Sequence, residues 1–126
     1  MAGEIKHFSD LVVWQKAVEL GKQVYALTRK FPPDERYGLT SQIRRAALSV
    51  SSNIAEGHAR QGKEFVSFLS IARGSLAETE SQLMFAVVIG YLTPREIETV
   101  RDLVTEIRRM SAALAKALKE RRQSSL

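Results

Sequence analysis

A chain of 126 residues is long enough for one compact domain with its own core and too short for two. Hydrophobic residues at 44% and charged residues at 26% give an ordinary globular balance that excludes a disordered chain, while 19 basic against 14 acidic side chains leave a net charge of +5. Cysteine is absent and His7 and His58 are the only histidines, which excludes disulfides and thiolate or histidine-rich zinc sites.

The first seven residues hold no apolar run suited to a signal-peptide core. The longest unbroken apolar stretch, Met84 to Ile89, falls far short of the ~20 residues that span a bilayer. The expectation is a soluble, cytoplasmic protein with no membrane partner.

Four segments carry helical periodicity. The first runs from about residue 9 to 30, with Leu11, Trp14, Val18 and Tyr25 recurring at three- and four-residue steps. Ser9 is placed to cap it and Phe8 to staple onto Val13, and Phe31-Pro32-Pro33 ends it, since proline lacks an N–H and disfavours helical backbone before it. The second, about 39–56, aligns Leu39, Ile43, Ala46, Val50 and Ile54, with Gly57 and Gly62 bracketing a turn. The third, about 63–89, aligns Phe65, Leu69, Ala72, Leu76, Leu83 and Val87, and Gly90 suits its C-terminal cap. The fourth, about 94–120, opens with a Thr93/Glu96 capping box around Pro94, and Leu92 can staple to Ile97. Its stripe of Ile97, Val100, Val104, Ile107, Ser111, Leu114 and Leu118 alternates threes and fours like a coiled-coil seam. With three short connections the fold class is all-α, an antiparallel up-down-up-down four-helix bundle forming a single domain over residues 1–126.

Two faces exceed what one bundle needs. In the second helix Ala47, Leu48, Ser51 and Ala55 form a small-residue face on which another backbone can approach closely. In the third, Met84, Phe85, Val88 and Ile89 belong to a run that is apolar around its whole circumference. Together they predict a homo-oligomer.

Catalytic constellations are missing. Glu78 and Glu80 stand two apart and face different ways, and the one Glu-x-x-His spacing, Glu4 to His7, precedes the first helix, so no di-iron site is expected. No phosphate-cradling glycine loop follows a strand. Arg45, Ser49, Ser52 and Glu56 line one side of the second helix, and Arg45, Asn53, Glu56 and Glu78 suggest a structural polar network in which arginine pairs with glutamate. No enzyme and no cofactor is expected. The remaining signal is the positive charge. Arg60, Lys63, Lys116, Lys119, Arg121 and Arg122 gather at one end of an antiparallel bundle and Arg44 and Arg45 at the other, although cations at a helix C-terminus also offset the macrodipole. Such a surface attracts phosphates without reading sequence, while neither an aromatic-rich basic platform nor a helix-turn-helix is evident in the sequence.

The strings Phe8-x-x-Leu11-x-Val13-Trp14-Gln15-Lys16-Ala17, Tyr37-Gly38-Leu39-x-x-Gln42-Ile43-Arg44-Arg45-Ala46-Ala47 and Ser49-Val50-x-x-Asn53-Ile54-Ala55-Glu56-Gly57 closely resemble one family. So does Phe68-Leu69-x-Ile71-Ala72-x-Gly74-Ser75-x-x-Glu78-x-Glu80-x-Gln82-Leu83. The resemblance is to the four-helix-bundle 23S rRNA intervening-sequence proteins of bacteria, and it covers the first three helices and the Gly90-Tyr91-Leu92 turn. It implies a ring-shaped homopentamer and kinship with the accessory proteins of diversity-generating retroelements, basic bundles that bind a reverse transcriptase and nucleic acid. It implies no activity, and Asn53, Glu56, Gly57, Ser75 and Glu78 match its signature positions as structural residues. The leading expectation is a non-enzymatic oligomeric scaffold that binds nucleic acid, RNA ahead of DNA, through basic surfaces. The alternative is a protein-interaction module with no nucleic-acid role.

Overall fold

The computed structural model describes residues 4–124, with side chains described through Arg121. Four helices, α1 (Val12–Thr28), α2 (Leu39–Arg60), α3 (Gly62–Val88) and α4 (Glu98–Ser124), are joined by short turns. Partner numbers fall along one helix as they rise along the next. Arg44 at the start of α2 reaches Thr28 and Tyr25 at the end of α1. Ser49 bonds Ser75, and Gly57 lies against Phe65 and Phe68. Glu80 pairs with Arg101 and Arg108, while Lys16 pairs with Glu106 and Lys30 with Glu96. This is an all-α, antiparallel four-helix bundle.

The ends of the helices depart from the expected boundaries for identifiable reasons. Ser9 does not cap α1. A separate 3-10 turn, Phe8–Asp10, comes first, capped by the His7 side chain, with the Asp10 carboxylate accepting the backbone N–H groups of Lys6 and His7. Those N–H groups hold the Asp10 carboxyl below its ordinary value. Phe8 packs against Trp14 with the rings tilted, centroids 5.2 Å apart.

Gly57 is not in a turn, because α2 continues to Arg60 and stops only where Gln61 turns to φ 62°. The glycine serves a close approach: a Cβ there would stand 2.8 Å from Phe68 Cβ and 3.0 Å from the Phe65 ring. At the far end of α3, Gly90 at φ 86° closes a Schellman motif. Tyr91 N–H donates to Ala86 O at 2.9 Å and Gly90 N–H to Val87 O at 3.0 Å. The Thr93/Glu96 capping box then forms as the spacing predicts, with Thr93 N–H on Glu96 Oε1 and Glu96 N–H on Thr93 Oγ1. The first turn beyond it, Arg95–Ile97, is 3-10 before α4 proper begins.

Leu20, Ile43, Ile54, Leu69, Leu76, Leu83 and Ile107 are fully buried and fill the axis of the bundle. Each contributes about 1.5–3 kcal/mol of burial relative to exposure. No helix among the described residues is long and apolar enough to cross a membrane.

Candidate interaction surfaces

The small-residue face of α2 divides in two. Ala47 and Ser51 lie in the chain's own core, so the expectation that they meet another subunit is corrected. The reason is the crossing with α1 and α3: α2 buries two adjacent stripes, one on each neighbour, and only small side chains let both approach. Leu48, 56% exposed, and the half-buried Ala55 remain toward the outside.

At the other apolar stretch, Met84, Phe85, Val88 and Ile89 all stand exposed, with Val88 at 82% and Phe85 at 54%. Their neighbours Leu83 and Ala86 turn into the core. Ile71, also exposed, lies further back along α3. The helical period alone accounts for the division, since residues three and four apart share a face.

The polar network forms with different partners from those expected. Asn53 Nδ2 donates to Ser49 O at 2.7 Å and to Ser49 Oγ at 2.9 Å, and Ser49 shares a 2.9 Å bond with Ser75. Arginine takes no part in it. Arg44 turns to α1, Glu56 pairs with Arg60 one turn away, and among the described residues Arg45 and Glu78 have no ion-pair partner. A buried ion pair across α2 and α3 is unnecessary here because Arg45, Glu56 and Glu78 are exposed and hydrated.

The candidate cations sort by partner. Arg60 is held between Glu56 and Glu64, which raises its already high pKa, with the Glu64 hydrogen bond the leading cause. Arg45, Lys63, Lys116 and Lys119 are exposed without an ion-pair partner among the described residues. Arg121 is exposed near the end of α4, and the Arg122 side chain lies outside the described residues. Antiparallel packing puts Arg121 beside the α2–α3 turn: with His58, Gln61, Phe65, Leu114 and Leu118 it lines a cavity of about 500 Å³. Arg44 lies at the opposite end, its guanidinium carbon 4.4 Å from the Tyr25 ring centroid. Arg36 stands over Tyr37 in the same corner at 5.4 Å. Composition showed no such pairing, because Tyr25 and Arg44 meet only once α1 and α2 are packed. Among the described residues no group of three or more histidines, aspartates or glutamates is placed to hold a metal ion.

Residues 9–113 match the family described as 23S rRNA-intervening sequence protein. A solved structure from Bacteroides thetaiotaomicron, described as a protein with unknown function from the S23 ribosomal protein family, superposes with a TM-score of 0.73. It is 26% identical, and the match covers 83% of this chain and 99% of that one. No curated protein matches the sequence. With its four helices in the same arrangement and the profile matched across most of its length, this chain belongs to the 23S rRNA-intervening sequence protein family.

Proposed function

We propose that the protein is a non-enzymatic subunit of a ring-like homo-oligomer, a pentamer by family resemblance, that binds nucleic acid through its basic surfaces. The observation that carries the reading is the set of exposed cations without an ion-pair partner among the described residues, Arg45, Lys63, Lys116 and Lys119, on a chain of net charge +5. Unneutralised lysine and arginine displace counterions from phosphates, and an oligomer multiplies that charge on one surface. The family description, which refers to 23S rRNA, supports RNA ahead of DNA. Self-association draws its support from the exposed Phe85 and Val88, since a contiguous apolar patch on a soluble surface marks an interface.

The test is native mass in solution, followed by titration with labelled RNA and DNA at two salt concentrations. A multimer whose affinity falls steeply with salt, and falls further in the Lys116→Ala/Lys119→Ala variant, supports the scaffold. Salt-insensitive binding or none overturns the nucleic-acid role. Val88→Asp is expected to reduce the native mass while the helical signal persists, and an unchanged mass overturns the assignment of that face. The same apolar patch favours a second reading, a module for another protein, such as the reverse transcriptase that the family's kinship suggests. A stoichiometric complex of the two purified proteins that survives nuclease treatment would favour it.

A further inference from the structure

Tyr37 is the most exposed large hydrophobic side chain among the described residues, at 88%, yet it sits on a braced corner. The loop between α1 and α2 is a 3-10 turn, Pro33–Glu35, closed by Arg36 N–H on Pro33 O and Gly38 N–H on Glu35 O. The Glu35 carboxylate accepts the Leu39 N–H at 3.1 Å and the Tyr91 hydroxyl at 2.7 Å, which fastens the loop to the start of α2 and to the turn after α3. An aromatic ring held out from a rigid corner loses little freedom when something stacks on it.

The surroundings select what that partner is. Arg36 lies over the Tyr37 ring, and further along, on α2, Arg44 lies 4.4 Å from the Tyr25 ring centroid. Arg44 is oriented by two bonds into α1, Nε on Thr28 Oγ1 at 2.8 Å and Nη2 on Tyr25 O at 3.4 Å. Of its five N–H donors three are left over, in a fork already fixed in place. Residues 22–45 contain Lys22, Arg29, Lys30, Arg36, Arg44 and Arg45 against Asp34 and Glu35. One of those cations, Lys30, is paired with Glu96, while Glu35 keeps its charge with both oxygens engaged in hydrogen bonds, so cations still outnumber acids here. Two ring–guanidinium pairs in a field of surplus positive charge match a ligand carrying both flat faces and a polyanionic backbone. A duplex hides its base faces, whereas a single strand offers them.

Resting on the nucleic-acid reading above, we propose that the α1–α2 corner is a stacking site for single-stranded nucleic acid. An unpaired base lies on Tyr37, and Arg36, Arg44 and Arg45 meet the flanking phosphates.

The experiment is fluorescence anisotropy with four labelled 12-mer probes: oligouridylate, oligodeoxythymidylate, an abasic sugar–phosphate strand of equal charge, and a duplex. Each is titrated with wild type, Tyr37→Ala and Tyr37→Phe at two salt concentrations. Both base-bearing single strands are expected to bind wild type about tenfold tighter than the abasic strand. Tyr37→Ala is expected to erase that difference and Tyr37→Phe to retain it, with unchanged melting and native mass. RNA above DNA among the single strands would add a contact to the 2′-hydroxyl, and equal affinity would leave stacking and charge as the whole site; either supports the proposal. Abasic and base-bearing strands bound equally well by wild type, or a Tyr37→Ala variant that keeps the preference, overturns this site and leaves salt-dependent binding standing. Failure of wild type to bind any probe at low salt overturns both readings. A native mass altered by Tyr37→Ala assigns the ring to a contact between copies and overturns the proposal.

Discussion

Tyr91 donates its hydroxyl hydrogen to Glu35 Oε2 across 2.7 Å, while Glu35 Oε1 accepts the N–H of Leu39 at the start of α2. One carboxylate thus joins the α1–α2 loop, the N-terminus of α2 and the turn after α3. The Tyr91 ring also lies 5.3 Å from Phe31, centroid to centroid, so polar and apolar contacts fasten the same corner.

This relationship sets a pH dependence. The Tyr91 hydrogen bond, then the Leu39 N–H, hold the Glu35 carboxyl below its ordinary 4.5. The Lys30 hydrogen bond, then the Thr93 N–H, do the same for Glu96. Groups depressed in the folded state stabilise it above the unfolded value, and that contribution is lost as pH falls through the folded value. Urea midpoints measured between pH 7 and pH 3 should therefore begin to fall near about pH 4.5, and Glu35→Gln should flatten that limb. Tyr91 is raised above 10.0 by its bond to Glu35, so its share is complete below that pH and fades as pH climbs through the folded value. Tyr91→Phe should flatten both limbs, and an acid limb identical to wild type would contradict the assignment.

Gly57 marks a close approach of α2 and α3. Gly57→Ala gains about 0.5–1 kcal/mol of helix propensity but drives a methyl group toward Phe68 Cβ and the Phe65 ring, and overpacking of that kind costs about 1–3 kcal/mol. A net loss of stability in chemical denaturation is expected. A stabilised variant would mean that the two helices separate freely.

Gln61 carries φ 62° and ψ 179°, a conformation that is essentially glycine's own, and its side chain donates to His58 O. Gln61→Gly removes backbone strain of about 1–3 kcal/mol and loses one exposed hydrogen bond worth less than that. The melting temperature should rise. Gln61→Val should lower it, because a β-branched residue tolerates that backbone worst.

Ser111 sits at a core position of α4 with its Oγ buried and without a hydrogen-bond partner among the described residues. Ser111→Ala keeps the small volume and removes the unsatisfied hydroxyl, so a gain of about 1 kcal/mol in urea unfolding is expected. Ser111→Val should instead cost stability by overfilling the seam.

The four helices were legible in the sequence because each announces itself locally. The Thr93/Glu96 capping box, the glycine at position 90 and the Phe31-Pro32-Pro33 stop depend on neighbours within a few residues, and the structure contains them as written. Gly57 looks like a turn residue in the sequence because its requirement comes from Phe65 and Phe68 on another helix, which no local pattern announces. Ala47 and Ser51 resembled an outer face for the same reason: a single-helix projection cannot show that α2 packs on two neighbours at once.

The surfaces divide along that line. Charge, the apolar run from Met84 to Ile89 and the order of the helices follow from the sequence, since they depend on composition and period. Which cations are neutralised depends on the tertiary structure. Lys16 is neutralised by Glu106 and Lys30 by Glu96, acids far away in the chain, while Arg44 finds Thr28 and the Tyr25 ring on α1 in place of a glutamate. Pairing energies act over a few ångströms, and only packing brings residues far apart in the chain within that range.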